Sequence, residues 1–482
     1  MKDRKIDFEK YFMPDLKKAR KRIESSTVLE DSFEVPSNIV GVGKGKKYHI
    51  RTYGCQSNLR DTETMKGICE LLGYTWEENI YDADLVILNT CAVRENAEEK
   101  VFGEIGLLKK IKARKPDFIF GIAGCMSQEE VVVKRILEKH EHVDFILGTH
   151  NIYRLPQILE EALYSKETVV EVWSKEGDIV ENLPSIRDSK LKAWVNIMYG
   201  CDKFCTYCIV PYTRGKVRSR RKQDIIDEVN QLIKEGYKDI TLLGQNVNSY
   251  GLDFKDEDYK FWDLLEDVAK TGVQRLRFTT SNPFDWNNKI IDVMAANSNI
   301  MPFVHLPIQS GDEEMLLRMN RKMKIQDYID TINYIKAKIP NVAISTDLIV
   351  GFPNETDEQF ENTLKLYNEV KYDNAYTFIY SKRDGTPAAK FVDNVSQETK
   401  QDRLQRLNEL VRKYAKENNE KYVGMELEVL VEGTSKTRDD ILTGYSPQLK
   451  VVNFIGNAKP GDTIKVKITS ASRFSLNGEQ VG

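Results

Sequence analysis

The 482-residue sequence contains no apolar run long enough to cross a membrane. Its first residues, Met1 to Phe8, also lack the apolar core of a secretory signal, so we expect a cytoplasmic protein without a membrane partner. Net charge is low as well, because 71 Lys and Arg stand against 74 Asp and Glu, which gives −3. The chain therefore has no global attraction for nucleic acid, and any such surface must come from local patches.

Cysteine is scarce, with seven in the chain, yet three of them stand together in a C-x3-C-x2-C run. These are Cys201, Cys205 and Cys208; the nearest cysteine upstream is Cys125, and none follows. A closed zinc site takes four ligands, whereas a [4Fe–4S] cluster on three thiolates leaves one iron open to a small molecule. The spacing favours such an open cluster over a zinc loop, a disulfide knot or packed core thiols.

Three further cysteines, Cys55, Cys91 and Cys125, each follow an apolar run and precede a helical stretch. Read as strand–turn–helix units, these segments predict a parallel sheet with crossover helices. Ligands of such sheets gather beyond the carboxyl ends of the strands. We therefore expect the three thiols to converge on a second cluster; three unrelated buried thiols are the alternative. Cys69 lies inside an apolar helical stretch and is predicted to be a core residue.

The neighbours of the six clustered cysteines carry a family resemblance. The strings are T-Y-G-C-Q-S-N at 52–58, N-T-C-A-V-R-E-N at 89–96, G-C-M-S-Q at 124–128 and Y-G-C-D-K-F-C-T-Y-C-I-V-P at 199–211. Together they resemble the radical S-adenosylmethionine (SAM) methylthiotransferases. The second string resembles the branch that modifies tRNA, the MiaB type, rather than the ribosomal-protein branch. The resemblance runs from about Lys47 to the end of the chain.

The resemblance implies two [4Fe–4S] clusters and SAM as cofactors. Cys201, Cys205 and Cys208 would hold the cluster that binds SAM and cleaves it to a 5′-deoxyadenosyl radical. The other triplet would hold an auxiliary cluster, where a first SAM methylates a sulfur. The implied substrate is N6-dimethylallyladenosine at position 37 of the tRNA anticodon loop, modified at carbon 2. Implied partners are the tRNA and an electron donor such as flavodoxin or ferredoxin; the sulfur donor is not indicated.

The order of strand-like runs, helical patterns and turns along the chain predicts an α/β protein with three domains. The expected parts are a charged extension (1–46), a parallel α/β domain with the auxiliary cluster (47–166), a linker (167–190), a radical SAM domain (191–418) and a small C-terminal β-barrel of the TRAM type (419–482). As in the family, the central domain should be a partial (βα)6 barrel with its chemistry at the strand ends. Its predicted strands are Ala193–Met198, Asp239–Leu243, Arg275–Thr280, Phe303–Ile308, Ala343–Val350 and Ala375–Tyr380. In the first domain, Ser127 and Glu130 predict a helix-opening capping box.

The ends of the predicted barrel strands supply candidate SAM contacts. Gln245 and Asn246 follow the second strand, Gln309 follows the fourth, and Asp347 and Gly351 lie at the end of the fifth. Many radical SAM enzymes carry a Gly-Gly-Glu segment after the second strand, so here an amide oxygen would replace the carboxylate that receives the amino group of SAM. Asp347 would accept from ribose hydroxyls and Gly351 would admit adenine; for Asp347 a helix or turn cap is the alternative.

Basic residues Arg214, Arg218 and Arg220 follow the second cysteine triplet directly. Beside an active-site mouth they are candidates to bind tRNA phosphates or the SAM carboxylate, and such contacts would give affinity rather than sequence reading. The alternative is a solvated charged face.

The sequence leaves two rival functions open. The first is a methylthiotransferase with another substrate, either threonylcarbamoyladenosine in tRNA or a ribosomal-protein aspartate. The second is a non-catalytic iron–sulfur or zinc protein that binds RNA through its C-terminal barrel.

Overall fold

The computed structural model describes residues 33–92, 95–173, 179–436 and 438–481, with the backbone alone for 95–99. Two compact units divide the chain without following its order. The first takes the chain up to Asp188, with Met198–Arg220 and Lys382–Ala389; the second takes Ser189–Ile197, Arg221–Ser381 and the chain from Lys390 onward. Most of the predicted charged extension lies outside the described residues. Its described end packs on the first unit, where Ile39 is fully buried.

The first unit is built on a parallel sheet with helices on both faces. Its elements are β1 (Lys47–Tyr53), α1 (Gln56–Leu71), β2 (Thr75–Trp76), β3 (Leu85–Thr90), α2 (Glu95–Arg114), β4 (Ile119–Gly124), α3 (Glu130–Lys139), β5 (Phe145–Leu147), α4 (Leu155–Tyr164) and β6 (Val169–Glu171). The sheet order is β2-β1-β3-β4-β5-β6. Alternate residues of β3 enter different cores, Leu85 and Ile87 on one face and Val86 and Leu88 on the other. A strand buried on both faces needs such a continuous apolar run, as this one has.

Two local features of this unit differ from the sequence-based expectation. Strand β6 lies inside the stretch expected to be a linker, and it completes the sheet by pairing with β5. The capping box was wrong: Ser127 lies in a buried 3-10 turn, Cys125–Gln128, and its hydroxyl makes no hydrogen bond. Helix α3 begins at Glu130, after the extended residue Glu129. Ser127 belongs to this turn, and Glu129 takes the position directly before the helix, so the serine does not cap it.

The second unit opens with β7 (Lys192–Asn196), and the chain then enters the first unit through the cysteine segment. That segment holds β8 (Met198–Tyr199), α5 (Val210–Thr213) and β9 (Arg218–Ser219). Back in the second unit follow α6 (Lys222–Lys234), β10 (Asp239–Leu243), α7 (Phe261–Ala269), β11 (Arg275–Thr279), α8 (Asn288–Ala296), β12 (Phe303–His305), α9 (Glu313–Arg318), α10 (Ile325–Lys338), β13 (Ala343–Val350), α11 (Asp357–Val370), β14 (Asn374–Ile379) and α12 (Gln397–Glu420).

The six parallel strands form two three-stranded sheets, β11-β10-β7 and β12-β13-β14. A parallel bridge between Leu276 and Ile300 joins them, and the amide of Met301 donates to the carbonyl of Leu276 at 2.8 Å. This is the partial (βα)6 barrel that the sequence predicts. Strand β12 is shorter than predicted and ends at His305. Pro307 has no amide hydrogen to continue the ladder, and pairing with β13 resumes only at Gln309.

The C-terminal part of the second unit is a closed five-stranded barrel. Its strands are β15 (Glu426–Thr434), β16 (Leu442–Tyr445), β17 (Val451–Ile455), β18 (Thr463–Ala471) and β19 (Ser475–Gln480), in the order β15-β16-β17-β19-β18. Val429, Val452 and Phe454 fill its core. The predicted small β-barrel, and with it the predicted fold class, is confirmed.

This small barrel docks on the amino-terminal ends of the parallel strands. Arg275, the first residue of β11, donates to the carbonyl of Tyr445 at 2.7 Å. Arg277 donates to the carbonyl of Pro447 at 2.8 Å while its Nε lies 3.0 Å from Asp239, the first residue of β10. The small barrel therefore sits at the opposite end of these strands from the predicted SAM contacts. Throughout the described ranges, no helix is both long and apolar enough to cross a membrane.

Candidate active site

The register of the first sheet brings three cysteines to one edge. Tyr53 of β1 pairs with Thr90 of β3, and Thr90 pairs with Gly124 of β4. Cys91 and Cys125 come one residue after that row, and Cys55 comes two residues after it. Because the three strands are adjacent and parallel, their carboxyl ends deliver the cysteines to the same place.

The thiols of this first triplet interact with one another. A hydrogen bond from Cys91 holds the pKa of Cys55 well below its ordinary value, and Arg214 adds to the effect against the opposing influence of burial. Burial raises the pKa of Cys125, whose thiol also feels the charge of Cys55. Cys69, by contrast, is fully buried in the core of the sheet domain, and burial raises its pKa far above the ordinary range.

Two asparagines that the sequence analysis did not single out hold this edge together. Asn58 Oδ1 lies 3.4 Å from the Cys55 thiol, and Asn58 Nδ2 donates to Asn89 Oδ1 at 3.1 Å. Asn89 Nδ2 returns a bond to the Asn58 carbonyl at 2.7 Å. Both residues stand inside the cysteine strings, three after Cys55 and two before Cys91, and that position was the available signal.

The second triplet lies on a loop closed by the short hairpin of β8 and β9. The amide of Cys201 donates to the carbonyl of Gly215 at 3.1 Å, and the amide of Cys208 donates to the carbonyl of Cys205 at 3.0 Å. Gly200 has a φ of +75°, and a Cβ there would lie 1.9 Å from the carbonyl oxygen of Lys216. The loop therefore needs glycine at this crossing. Burial, together with the neighbouring cysteine charges, raises the pKa of Cys201.

The donor chemistry of both triplets fits [4Fe–4S] clusters. None of the seven cysteines forms a disulfide, so each triplet offers three sulfur ligands. Across the described residues, no three His, Cys, Asp or Glu side chains converge on a single metal ion. A cubane does not require three side chains around one ion, because each thiolate binds a different iron. Three ligands in each triplet, rather than four, are the number that a [4Fe–4S] cluster with one open iron takes.

The basic residues after the second triplet do not share one surface. Arg214 is buried and contacts the first triplet, where its Nε lies 3.2 Å from the Cys125 sulfur. Arg220 is also buried and makes a bidentate ion pair with Glu181. Arg218 is half-buried, with its guanidinium 5.7 Å from the ring of Tyr199. This geometry favours internal roles for Arg214 and Arg220 and leaves Arg218 as the better phosphate candidate.

In the second unit, Gln245 and Asn246 follow β10, Gln309 follows β12 and Gly351 follows β13, as expected, whereas Asp347 lies inside β13, three residues before its end. Asn246 is held within the protein. Asn246 donates to Ser249 and Asp285 at 2.6 and 2.7 Å, and its Oδ1 accepts from the amide of Asn282 at 3.0 Å. Both ends of this amide are therefore used within the protein, which favours a loop-positioning role. Gln245, beside it, is half-buried.

Asp347 stays a candidate for ribose contact, because its side chain is only partly buried. Its Oδ1 lies 3.5 Å from Nε2 of His305, whose Nδ1 bonds Ser345 at 2.8 Å. Gln309 has a φ of +78°, and its backbone N–H donates to the backbone carbonyl of Asp347 at 2.9 Å. Gly351 has a φ of +67°, and a Cβ there would lie 2.3 Å from the stem of Lys400. Asp347 and Gln309 thus lie next to each other. Glycine is needed at position 351 because a side chain there would collide with Lys400 of α12.

Three family models match the chain. They are the Radical SAM superfamily over residues 195–367, the "Uncharacterized protein family UPF0004" over 47–148 and the TRAM domain over 420–481. A solved structure with a related fold is a radical S-adenosylmethionine methyltransferase, TsrM, from Kitasatospora setae. It gives a TM-score of 0.53 at 13% identity, over 71% of this chain and 77% of that one. The fold and these matches define a radical SAM enzyme.

Curated relatives narrow the class. A tRNA-2-methylthio-N(6)-dimethylallyladenosine synthase of Malacoplasma penetrans is 61% identical, over 99% of this chain and 98% of that protein. Proteins of the same name from Bacillus cytotoxicus and Geobacillus kaustophilus are each 56% identical over 98% of this chain, and over 94% and 91% of their own lengths. The chain belongs to the MiaB-type methylthiotransferase family, which confirms the resemblance seen in its cysteine strings. SAM and [4Fe–4S] clusters are the cofactors of that family.

Proposed function

We propose that this protein methylthiolates carbon 2 of N6-dimethylallyladenosine in the tRNA anticodon loop, with SAM as the source of both the radical and the methyl group. In this proposal Cys201, Cys205 and Cys208 ligate the SAM-binding cluster, and the first triplet ligates the auxiliary cluster. The observation that carries the proposal is the convergence of three thiols from three adjacent strands at one sheet edge. That second triplet provides a site for the auxiliary cluster, where the sulfur to be inserted would be held.

The reaction replaces an unactivated aromatic C–H bond, which acid–base groups cannot break at neutral pH. When bound, the clusters supply electrons for SAM cleavage and a site for the inserted sulfur. The protein's share is placement and exclusion of water. The Asn58–Asn89 bonds fix the first-triplet edge, and Asp347, in the C-terminal half of β13, would offer an acceptor to a ribose.

The substrate class follows from the names of the relatives and from the TRAM domain. Single-stranded loops suit this chemistry because their bases can leave the stack and enter a pocket. A cytoplasmic location and an electron donor such as flavodoxin or ferredoxin complete the proposal. Threonylcarbamoyladenosine tRNA and a ribosomal-protein aspartate remain substrates for the same assay to exclude.

Anaerobic reconstitution tests the cluster assignment. Wild-type protein should bind about eight irons, four for each triplet. Replacing Cys201, Cys205 and Cys208 by Ala should halve the iron and abolish SAM cleavage. Replacing Cys55, Cys91 and Cys125 by Ala should also halve the iron, yet 5′-deoxyadenosine should still form while methylthiolated nucleoside disappears.

Cys69→Ala is the matched control, since this thiol lies in the core and should leave iron and both products unchanged. Unchanged iron in either triple variant would refute the ligand assignment. Methylthiolation of a threonylcarbamoyladenosine tRNA in place of the dimethylallyladenosine tRNA would refute the substrate assignment while leaving the reaction class intact.

A further inference from the structure

One arginine links the loop of the second triplet to the thiols of the first. Arg214 stands six residues after Cys208, and 7% of its side chain is exposed. Its Nε donates to the Cys125 sulfur at 3.2 Å, and its Nη2 donates to Asp61 Oδ2 at 2.6 Å. Asp61 lies on α1, the helix that begins directly after Cys55. All these contacts lie within the first unit.

A buried charge of this kind is expensive unless it is compensated. Asp61, itself 8% exposed, supplies one negative charge. The Arg214–Asp61 pair alone would be neutral, yet the guanidinium also donates a hydrogen bond to the Cys125 sulfur. Around that sulfur the same loop supplies an apolar wall, because Phe204, Ile209 and Tyr212 cluster with Cys125 and Ala92. Three ligating thiolates at this place would carry negative charge, and the guanidinium of Arg214 offsets part of it directly.

We propose that Arg214 is a positioning residue for the auxiliary cluster: held by Asp61, it fixes the Cys125 sulfur in its ligating position and balances the charge of the ligated thiolates. The inference rests on the proposed ligand assignment and goes beyond it. It also means that the auxiliary site is incomplete without the loop of the other triplet. Arg214 thus has a role distinct from the phosphate contact that its place in the sequence suggested.

The test uses the full-length chain with Cys201, Cys205 and Cys208 replaced by Ala, so that only the auxiliary cluster is measured. In this background Arg214→Gln should weaken iron retention against a chelator about 10–100-fold, the usual cost of losing an outer-shell partner of a metal ligand. The electron paramagnetic resonance spectrum of the reduced cluster should also change. Arg214→Lys keeps the positive charge but lacks the planar guanidinium that donates to two partners at once, so it should recover part of the iron retention.

A second variant separates positioning from a structural ion pair. Asp61→Asn combined with Arg214→Gln removes both charges, so that neither is left buried without its partner. Its apoprotein should unfold near the wild-type temperature, yet iron retention should stay low. Arg221→Ala, which removes an exposed arginine paired with Asp256 and Glu257, is the matched control and should change neither.

The outcomes are distinct. Wild-type iron retention and an unchanged spectrum in Arg214→Gln would overturn the inference, as would full retention in the double variant. If Arg214→Gln does not fold, the double variant and Arg214→Lys decide by the same criteria. If the background protein with Arg214 intact holds no iron at all, the proposed ligand assignment fails instead.

Discussion

The docking of the small barrel depends on a buried ion pair whose loss should be measurable. Arg277 and Asp239 are 5% and 4% exposed at the side chain, with 3.0 Å between Nε and Oδ2. Arg277→Met would leave the Asp239 carboxylate buried without its cation. It would also leave the Pro447 carbonyl without its donor. Removing one member of a buried pair costs about 3–5 kcal/mol, so we expect a loss of that size.

Hydrogen exchange of the apoprotein is the suitable assay, because it reports the opening free energy of separate parts of a large chain. Amides of β16 and β17 should exchange faster in Arg277→Met, while those of β3 and β4 in the first unit should not change. Adding Asp239→Asn to Arg277→Met removes the stranded charge and should recover much of the loss. Arg438→Ala, at an exposed pair with Asp440, should have no measurable effect.

A cost below about 1 kcal/mol for Arg277→Met would refute the reasoning, since that is the value of an exposed pair. Equal acceleration in both units would also refute it, because the effect would then not come from the docking of the small barrel.

Two further predictions concern the first unit. Gly124→Ala should lose the auxiliary cluster, because a Cβ there would lie 2.4 Å from the Thr90 carbonyl oxygen. Iron measurement should show a loss of about half of the iron, while SAM cleavage continues. Gly45→Ala is the control, because Gly45 has a similar positive φ but open space around it. Burial lowers the pKa of His142 below its ordinary 6.5, so the unfolded state binds more protons below that pH. Its contribution to stability should be complete above pH 6.5 and decline as the pH falls below it. His142→Asn should flatten this decline in denaturant titrations, and an unchanged slope would contradict the assignment.

Local patterns predicted the parts of the structure that depend on neighbours in sequence. Apolar runs located β1, β3 and β4, and the rule that parallel strands share a carboxyl edge then brought Cys55, Cys91 and Cys125 together. The short β12 could have been anticipated from Pro307, which cannot donate to a strand ladder. The strand β6 could not, because three residues carry too little periodicity to stand out from a polar stretch.

The contacts that escaped prediction join residues far apart in sequence. Arg214 and Asp61 are 153 positions apart, so the basic run offered no sign that one member turns inward. Asn246 likewise uses its amide on Asp285, 39 positions away. A local motif indicates which residue types are present, but their partners depend on packing that only the folded chain defines.

The small barrel docks on the amino-terminal ends of the parallel strands, and this sets a minimum length for an RNA that binds at both ends of them. Strand β10 has five residues, which at about 3.3 Å each gives a length of about 17 Å between its two ends. An RNA held by the small barrel, and reacting at the far ends of the same strands, has to reach across at least that interval. The rigid strands would then act as a gauge: a hairpin too short to cover the interval could occupy the reactive end or the holding end, but not both.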